Sequence, residues 1–393
     1  MTRPPTGWHF LQVPGPTNIP GRVLQALSRP TVDHRGPDFP ALTREIQDGL
    51  RWVFQTEHPV IVYPGSGSGG WEAALVNTLN PGDRVLMFET GQFGLGWVDV
   101  ARGFGLDVDL MPGDWRRGAD PALVEERLGA DTGHTYRAVA VVHNETSTSA
   151  VTRIPEVRAA MDRVGHPALL MVDAVSSLGC LEYRHDAWGV DVTVSGSQKG
   201  LMLPAGLAFT AVGPKALAAS KTASLPRSYW DWARMLDLNA AGYFPYTPAT
   251  NLLFGLRESL AMLREEGLEE VFRRHGRHGV AARRAVEAWG LELQCTNPAE
   301  WSDVLTTVRL PEGHDADRVR AVILERFNLA LGAGLGKLKG RVLRIGHLGD
   351  FNDLMLAATL AGVESGLVLS GVPIRRGGVQ AAMEILEVQE SSS

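Results

Sequence analysis

The chain has 393 residues, with 38 Lys or Arg and 44 Asp or Glu, which gives a formal net charge of −6 when His is neutral. This balance argues against a strongly basic nucleic-acid-binding protein, and 44% hydrophobic residues exclude a disordered or collagen-like chain. The two cysteines, Cys180 and Cys295, are too few for a disulfide framework. Without a secretion-signal pattern or an apolar run of about 18 residues, we expect a soluble, cytoplasmic protein with no membrane or nucleic-acid partner.

The length predicts two or three domains, or one large α/β domain with a smaller companion. Residues 1–20 are predicted to form an N-terminal arm, because prolines at 14, 16 and 20 are incompatible with a regular helix or a central strand. Helical spacing of apolar residues begins at residue 41 in ALTREIQDGLRWVF. The strand PVIVYP, the turn GSGSGG and the helix WEAALVNTL then form the first βα unit of a predicted parallel sheet.

The alternation of strands and helices continues along the next part of the chain. Apolar strands such as DRVLMFE, RAVAVVHNE and PALLMVDAV alternate with amphipathic helices, and DVTVSGSQ and LAFTAVG add further strands. Such a pattern is typical of a mostly parallel sheet that helices cover on both faces. We assign residues 21–277 to this large α/β domain and residues 278–393 to a smaller C-terminal α+β domain.

The glycine-rich turn is the first candidate functional motif. Gly65, Gly67 and Gly70 fit G-x-G-x-x-G after a strand and before a helix, a weak match to a dinucleotide-binding fingerprint. The turn lacks the following Lys and Ser/Thr of a nucleotide-binding P-loop. The physical chemistry supports an anion site, because backbone N–H groups at a helix N-terminus can bind a phosphate, although a purely structural turn remains an alternative.

A carboxylate and a lysine follow two of the predicted strands. Asp173 ends the strand LLMVD, and Lys199 comes just after the strand DVTVSG. Ligands of α/β sheets bind outside the carboxyl ends of strands, so both side chains are expected at one site. A lysine amine that forms a Schiff base and an aspartate that keeps a pyridinium nitrogen protonated are the pair that pyridoxal phosphate requires. Together with the phosphate turn, they favour pyridoxal 5′-phosphate as cofactor.

Sequence blocks that resemble one enzyme family run in order from about residue 11 to about residue 365. These blocks are PGPTNIP (14–20), DHRGPDF (33–39), GSGSGGWEAAL (65–75), HNETSTS (143–149), DAVSSLG (173–179), SGSQKGLMLPAGL (195–207), YFPYTP (243–248) and LGAGLGKLKGRVLRIGHLGD (331–350). They resemble the serine–glyoxylate and alanine–glyoxylate aminotransferases, class-V aminotransferases of fold type I that depend on pyridoxal phosphate. The resemblance implies an enzyme that moves an amino group from a small L-amino acid, with serine favoured, to glyoxylate and forms glycine by a ping-pong mechanism.

The resemblance also implies roles around the cofactor. Lys199 would be the catalytic Schiff-base lysine, which also moves the proton between the substrate α-carbon and the cofactor. Asp173 would pair with the pyridinium nitrogen. The other implied cofactor contacts are Ser66, Gly67, Ser68 and Gln198 at the phosphate, Phe93 stacked on the ring where several relatives have Trp, Val175 on its other face, and Thr146 near its phenolic oxygen.

Further roles concern the substrate and a second subunit. Arg344 would bind the substrate α-carboxylate through a two-pronged pair. Tyr246 and Thr247 would reach the phosphate in the neighbouring subunit, which implies a homodimer with shared active sites. The substrate entrance would be lined by Gly15, Pro16, Thr17 and Asn18, with His34 and Arg35 entering from the partner.

Several alternatives remain at this point. Aspartate or alanine could replace serine as donor, and a pyridoxamine–pyruvate aminotransferase is a more distant possibility. A desulfurase would need Cys180 or Cys295 in a mobile loop as nucleophile, and a nicotinamide-dependent oxidoreductase would leave Lys199 and Asp173 without a task. His275 and His278 are interpreted as part of an exposed helix face and not as a metal pair, so no metal site is expected.

Overall fold

The computed structural model describes residues 7–387. The strands are β1 (Phe10–Gln12), β2 (Val60–Gly65), β3 (Arg84–Phe88), β4 (Asp107–Met111), β5 (Tyr136–Val142), β6 (Asn144–Glu145), β7 (Ala150–Val151), β8 (Leu169–Asp173), β9 (Val192–Gly196), β10 (Gly206–Val212), β11 (Glu292–Leu293), β12 (Leu305–Arg309), β13 (Leu329–Ala333) and β14 (Val342–Gly346). The helices are α1 (Gly21–Leu27), α2 (Phe39–Phe54), α3 (Gly67–Thr78), α4 (Gln92–Gly103), α5 (Pro121–Ala130), α6 (Ile154–Arg163), α7 (Pro214–Ser220), α8 (Trp232–Ala240), α9 (Thr250–Glu266), α10 (Leu268–Trp289), α11 (Ala316–Phe327), α12 (Asp353–Leu369) and α13 (Gly378–Leu386).

The large sheet has the strand order β2-β10-β9-β8-β5-β3-β4 within residues 7–387. The pairs from β9 through β8, β5 and β3 to β4 are parallel, and β10 is antiparallel to both β2 and β9. Alternate residues of a strand pack on opposite faces: in β8, Leu170 and Val172 belong to one hydrophobic cluster and Leu169 and Met171 to another. The predicted mostly parallel sheet with helices on both faces is therefore confirmed.

The second sheet has the order β1-β13-β14-β12-β11 among the described residues, and its core is shared by α10, α11, α12 and α13. This is the predicted smaller α+β unit. The N-terminal arm contributes β1 to it, in parallel pairing with β13, before the prolines end the strand. The division into residues 1–20, 21–277 and 278–393 stays a prediction; its second boundary falls inside the continuous helix α10 (Leu268–Trp289).

The charged segment of residues 263–277 is divided between two helices. It forms the end of α9 and the start of α10, separated by Gly267, whose φ of +85° is readily adopted by glycine. His275 and His278 are fully buried, because the small domain covers this face of α10. The His275 ring donates from Nδ1 to Val271 O at 2.7 Å and accepts from Gly349 N at 3.2 Å.

His278 pairs instead with a carboxylate of the small domain, with Nε2 at 2.9 Å from Asp353 Oδ1. The interpretation of these histidines as an exposed face is thus wrong. No cluster of three His, Cys, Asp or Glu side chains suited to a metal occurs among residues 7–387. Nor is any helix in this range both long and apolar enough to span a membrane.

The buried His275 ring predicts a specific pH dependence of stability. Burial lowers its pKa from 6.5 to about 3. In the unfolded chain the ring binds a proton below about pH 6.5, whereas in the folded chain it stays neutral, so stability falls as the pH falls from about 6.5 towards about 3. We expect His275→Gln to reduce the slope of unfolding free energy against pH by up to about 1.4 kcal/mol per unit in this window.

Urea unfolding at several pH values measures this slope. The control is His9→Gln at an exposed histidine on the surface of the protein, which should leave the slope unchanged. An identical slope for His275→Gln and the unaltered protein would contradict the assignment.

Candidate active site

A cavity of about 270 Å³ lies at the carboxyl ends of β8 and β9. It brings together most of the side chains that the sequence placed at one site. The predicted site residues that line it are Gly15, Pro16, Ser66, Gly67, Ser68, Phe93, Thr146, Asp173, Val175, Gln198 and Lys199. The large sheet, the N-terminal arm and the start of α3 thus converge on one pocket.

Lys199 is buried in the turn that follows β9. Its Nζ donates a hydrogen bond to Pro14 O of the arm, and its own carbonyl accepts one from Thr17 Oγ1 at 3.2 Å. Burial, and secondarily the positive charge of Arg344, lowers the pKa of this amine to about 8, while Asp173 acts in the opposite direction. At pH 7 roughly a tenth of the amine is then neutral, far more than for an ordinary lysine, which favours a nucleophile and proton carrier.

Asp173 is the buried carboxylate of the pocket, with 3% of its surface exposed. Val175 N donates to Oδ1 at 2.7 Å, and the indole Nε1 of Trp71 donates to Oδ2 at 2.8 Å. Burial raises the pKa of Asp173 to about 6, although both hydrogen bonds favour the charged form. The carboxylate is therefore held in one orientation and can face a cationic group of a ligand.

The part of the cavity at the start of α3 is suited to an anion. Helix α3 begins at Gly67, so the N–H groups of Gly67 and Ser68, two residues that line the cavity, have no acceptor within the helix. A Cβ on Gly67 would come within 2.5 Å of Val175 Cγ2, so only glycine allows this close packing. Among the described residues, Gln198 Oε1 is a buried polar atom without a hydrogen-bond partner. An amide oxygen only accepts hydrogen bonds, so it is the N–H groups of the same Gln198 side chain that can donate to an anion.

Arg344 on β14 lies beside the cavity with 7% of its surface exposed. Its Nη1 donates to Thr146 O at 2.8 Å and its Nε to Ala333 O at 2.7 Å. Burial lowers the pKa of the guanidinium to about 10, which leaves it cationic at neutral pH. Within residues 7–387 its Nη2 makes no hydrogen bond to another protein group, so part of the guanidinium fork is available to a carboxylate.

Comparison with known proteins agrees with this geometry. The family model described as aminotransferase class-V matches residues 9–337. The chain belongs to the class-V aminotransferase family. It is 49% identical over 393 residues to a serine–glyoxylate aminotransferase of Methylorubrum extorquens, with 98% of this chain and 97% of that protein covered. It is 44% identical over 374 residues to an L-aspartate–glyoxylate aminotransferase of Paracoccus denitrificans, with 95% and 94% covered.

A solved structure shows the same fold. The aminotransferase superimposes on pyridoxamine–pyruvate aminotransferase from Mesorhizobium loti with a TM-score of 0.90 and 27% identity, covering 96% of this chain and 97% of that one. The predicted fold type I, with its large α/β and small α+β domains, is thereby confirmed. As an aminotransferase, the enzyme acts on small molecules, namely amino acids and 2-oxo acids.

Two residues with predicted cofactor contacts lie away from this pocket in the aminotransferase chain. Tyr246 donates from its hydroxyl to Val62 O at 2.6 Å and stacks on Tyr229 with ring centroids 4.7 Å apart. Thr247 is exposed. Neither is among the described residues that line the cavity around Lys199 of the same chain. Their predicted contact with a partner's cofactor phosphate stays a prediction.

The remaining predicted positions lie around the entrance and in the loop before α2. The side chain of Asn18 donates to Leu11 O at 3.1 Å and stabilises the arm, and Thr17 is bonded to Lys199. His34 and Arg35 lie in a turn in which Arg35 N donates to Asp33 Oδ1 at 2.9 Å. Their entry into a partner's active site also stays a prediction.

Glu145, for which the sequence predicted no role, is fully buried beside the cavity. Its carboxylate accepts hydrogen bonds from Phe93 N at 3.3 Å, Gly94 N at 3.0 Å and Ser147 Oγ at 2.6 Å. It therefore caps the N-terminus of α4 and fixes the backbone that presents Phe93 to the pocket. The single acidic residue in the polar segment HNETSTS after β5 was the available signal.

Both cysteines are poorly suited to nucleophilic catalysis. Cys180 and Cys295 are free thiols and both are buried. Burial raises the pKa of Cys180 to about 12 and that of Cys295 to about 11, which suppresses the reactive thiolate. This environment argues against the desulfurase alternative.

The close approach of the arm to Lys199 yields a testable prediction. Gly15 has a φ of +90°, and a Cβ there would lie 2.6 Å from Lys199 Nζ. We expect Gly15→Ala to displace the lysine and to lower kcat by about tenfold or more, because both backbone and side chain must shift.

The matched control for this substitution is Gly82→Ala. Gly82 has a φ of +81° with nothing within 4 Å of an added Cβ, so it carries the backbone strain without the contact. Thermal unfolding should show a loss of stability in both variants, and a larger one in Gly15→Ala, which has the contact in addition to the strain. Equal kcat values for Gly15→Ala and Gly82→Ala would refute the proposed role of the contact.

Proposed function

We propose that this aminotransferase transfers the amino group of a small L-amino acid, with serine preferred, to glyoxylate and forms glycine. The observation that carries the proposal is the burial of Lys199 and Asp173 in one cavity that includes the start of α3, with Arg344 buried beside it and bonded to Thr146 of its lining. Serine is preferred over aspartate because the serine–glyoxylate relative is 49% identical and the aspartate–glyoxylate relative 44% identical. Arg344 recognises the α-carboxylate that all these donors share, so it does not select among them.

The residues present fit pyridoxal 5′-phosphate as cofactor. Its phosphate would accept hydrogen bonds from the N–H groups at the tight Gly67 turn, from the Ser66 and Ser68 hydroxyls and from the side-chain N–H groups of Gln198. Asp173 would pair with its ring nitrogen. Phe93 and Val175, which line the cavity, would contact its two ring faces, and Thr146 would lie near its phenolic oxygen. When bound, this cofactor supplies an aldehyde that holds the amino group and a ring that accepts an electron pair.

The chain's own residues would then position the substrate and move its proton. Arg344 would bind the α-carboxylate with the part of its fork that Thr146 and Ala333 leave unused. Lys199, with a pKa of about 8, can take the α-proton as an amine and return it as an ammonium group. Gly15 and Thr17 would form the side of the site against which the small substrate packs. The hydrogen bond from Thr17 to the Lys199 carbonyl would hold this side in place.

We further propose a cytoplasmic homodimer. Tyr246 and Thr247 lie outside the cavity of their own chain, which fits a contribution to the phosphate site of a second subunit. Half-buried Tyr246 and its stacked neighbour Tyr229, which is 48% exposed, would then be covered by that subunit. Two free buried cysteines are compatible with a reducing compartment.

Steady-state kinetics test the proposed reaction. Because the amino group must rest on the enzyme between two half-reactions, initial velocities with serine and glyoxylate should give parallel double-reciprocal lines.

The Lys199→Ala substitution tests the role of the lysine. It should lower kcat by at least about 10²-fold, since it removes the proton carrier. The matched control Lys221→Ala, at an exposed lysine, should retain full activity. Intersecting lines, or an active Lys199→Ala variant that unfolds at the normal temperature, would contradict the proposal.

A further inference from the structure

Two buried tryptophans stand side by side beneath the cavity. Trp71 on α3 lines the cavity, and Trp97 on α4 stacks on it with ring centroids 6.1 Å apart and an interplanar angle of 15°. The indole N–H of Trp71 donates to Asp173 Oδ2 at 2.8 Å. The indole N–H of Trp97 is buried and has no hydrogen-bond partner among the described residues. The two rings are thus stacked on each other, but Trp71 lines the cavity and bonds to Asp173, whereas Trp97 lies behind it without that bond.

The indole N–H of Trp71 is a side-chain donor that holds the Asp173 carboxylate in place through its hydrogen bond to Oδ2. The other carboxylate oxygen accepts from the backbone Val175 N at 2.7 Å, which no substitution of a side chain removes directly. A carboxylate that is 3% exposed loses hydration, and hydrogen bonds to the charged form offset part of that loss. Each oxygen of a carboxylate can accept more than one bond, so Trp71 and a ligand cation can bind at the same time.

We propose that Trp71 is a positioning residue that orients the Asp173 carboxylate towards the ring nitrogen of the cofactor and stabilises its negative charge. This inference rests on the proposed function, in which Asp173 pairs with pyridoxal phosphate. Trp71 acts through Asp173 and takes no part in the transfer itself. Its rigid indole, packed against Trp97, fixes the direction of the N–H bond more tightly than a flexible donor would.

Removal of this one N–H has two expected consequences. The Asp173 carboxylate binds a proton more readily and holds the ring-nitrogen proton less well, so cofactor affinity falls. With less positive charge on the ring, the nitrogen that links Lys199 to the cofactor keeps its proton to a higher pH. Because a hydrogen bond to a charged group is worth roughly a factor of ten or more, both effects should be measurable.

The experiment compares Trp71→Phe with Trp97→Phe in the full-length enzyme loaded with pyridoxal phosphate. We expect Trp71→Phe to raise the Kd of pyridoxal phosphate, measured by equilibrium dialysis, about tenfold. We also expect the pH midpoint of the visible absorption band to rise by about one unit. Trp97→Phe removes a similar ring without that bond and should change the Kd by less than about twofold. Equal effects of the two substitutions on Kd and midpoint would overturn the inference.

A double-variant cycle separates action through Asp173 from general damage to the pocket. In an Asp173→Asn background, Trp71→Phe should cause little further loss of cofactor affinity, because the charge that it stabilises is already gone. If Trp71→Phe lowered cofactor affinity by the same factor with Asp173 and with Asn at that position, the inference would be contradicted. If Trp71→Phe does not fold, replacement of Trp71 by benzothienylalanine retains the ring shape and deletes only the N–H, and the same outcomes apply.

The unaltered enzyme distinguishes failure of this inference from failure of the proposed function. A visible band in the unaltered enzyme, together with identical behaviour of the two tryptophan variants, would overturn only the role of Trp71. Absence of a visible band after addition of pyridoxal phosphate would contradict the proposed function and the inference together.

Discussion

The burial of a lysine amine and a carboxylate at one edge of the large sheet is the constraint on which the site depends. Charged groups removed from water are costly unless other groups stabilise them, and here burial shifts the pKa of Lys199 down and that of Asp173 up. The parallel strands β8 and β9 place both residues at their carboxyl ends, where loops can surround a ligand. The backbone of Val175 and the indole of Trp71 then fix the carboxylate.

The second requirement is that the small domain and the N-terminal arm meet the large domain at this edge. Strand β1 joins the arm to the small sheet, and the next residues bring Pro14 O and Gly15 against Lys199. Arg344, on β14 of the same small sheet, reaches Thr146 of the large domain. The side chain proposed to bind the substrate carboxylate and the amine proposed to move its proton are therefore aligned by contacts between elements far apart in sequence.

Much of this arrangement was predictable because it follows from local patterns. Alternation of apolar strands with helices predicts the parallel sheet, and the strand ends predict that Asp173 and Lys199 share a site. The histidines of α10 were misassigned, since their burial depends on Gly349 and Asp353 of the small domain and not on their own helix. The cap formed by Glu145 and the bond from Trp71 depend likewise on long-range packing, which spacing alone does not reveal. The individual site roles stay predictions drawn from family resemblance.

The central claim is that Lys199 and Asp173 hold pyridoxal phosphate for transfer of an amino group from serine. The most direct measurement is the absorption spectrum of the purified enzyme, supplied with pyridoxal phosphate, before and after addition of L-serine with no 2-oxo acid present. We expect a visible absorption band that colours the enzyme yellow and that L-serine bleaches to the spectrum of the aminated cofactor. A band that aspartate or alanine bleaches but serine does not would contradict the choice of donor, and the absence of any band would contradict the cofactor site itself.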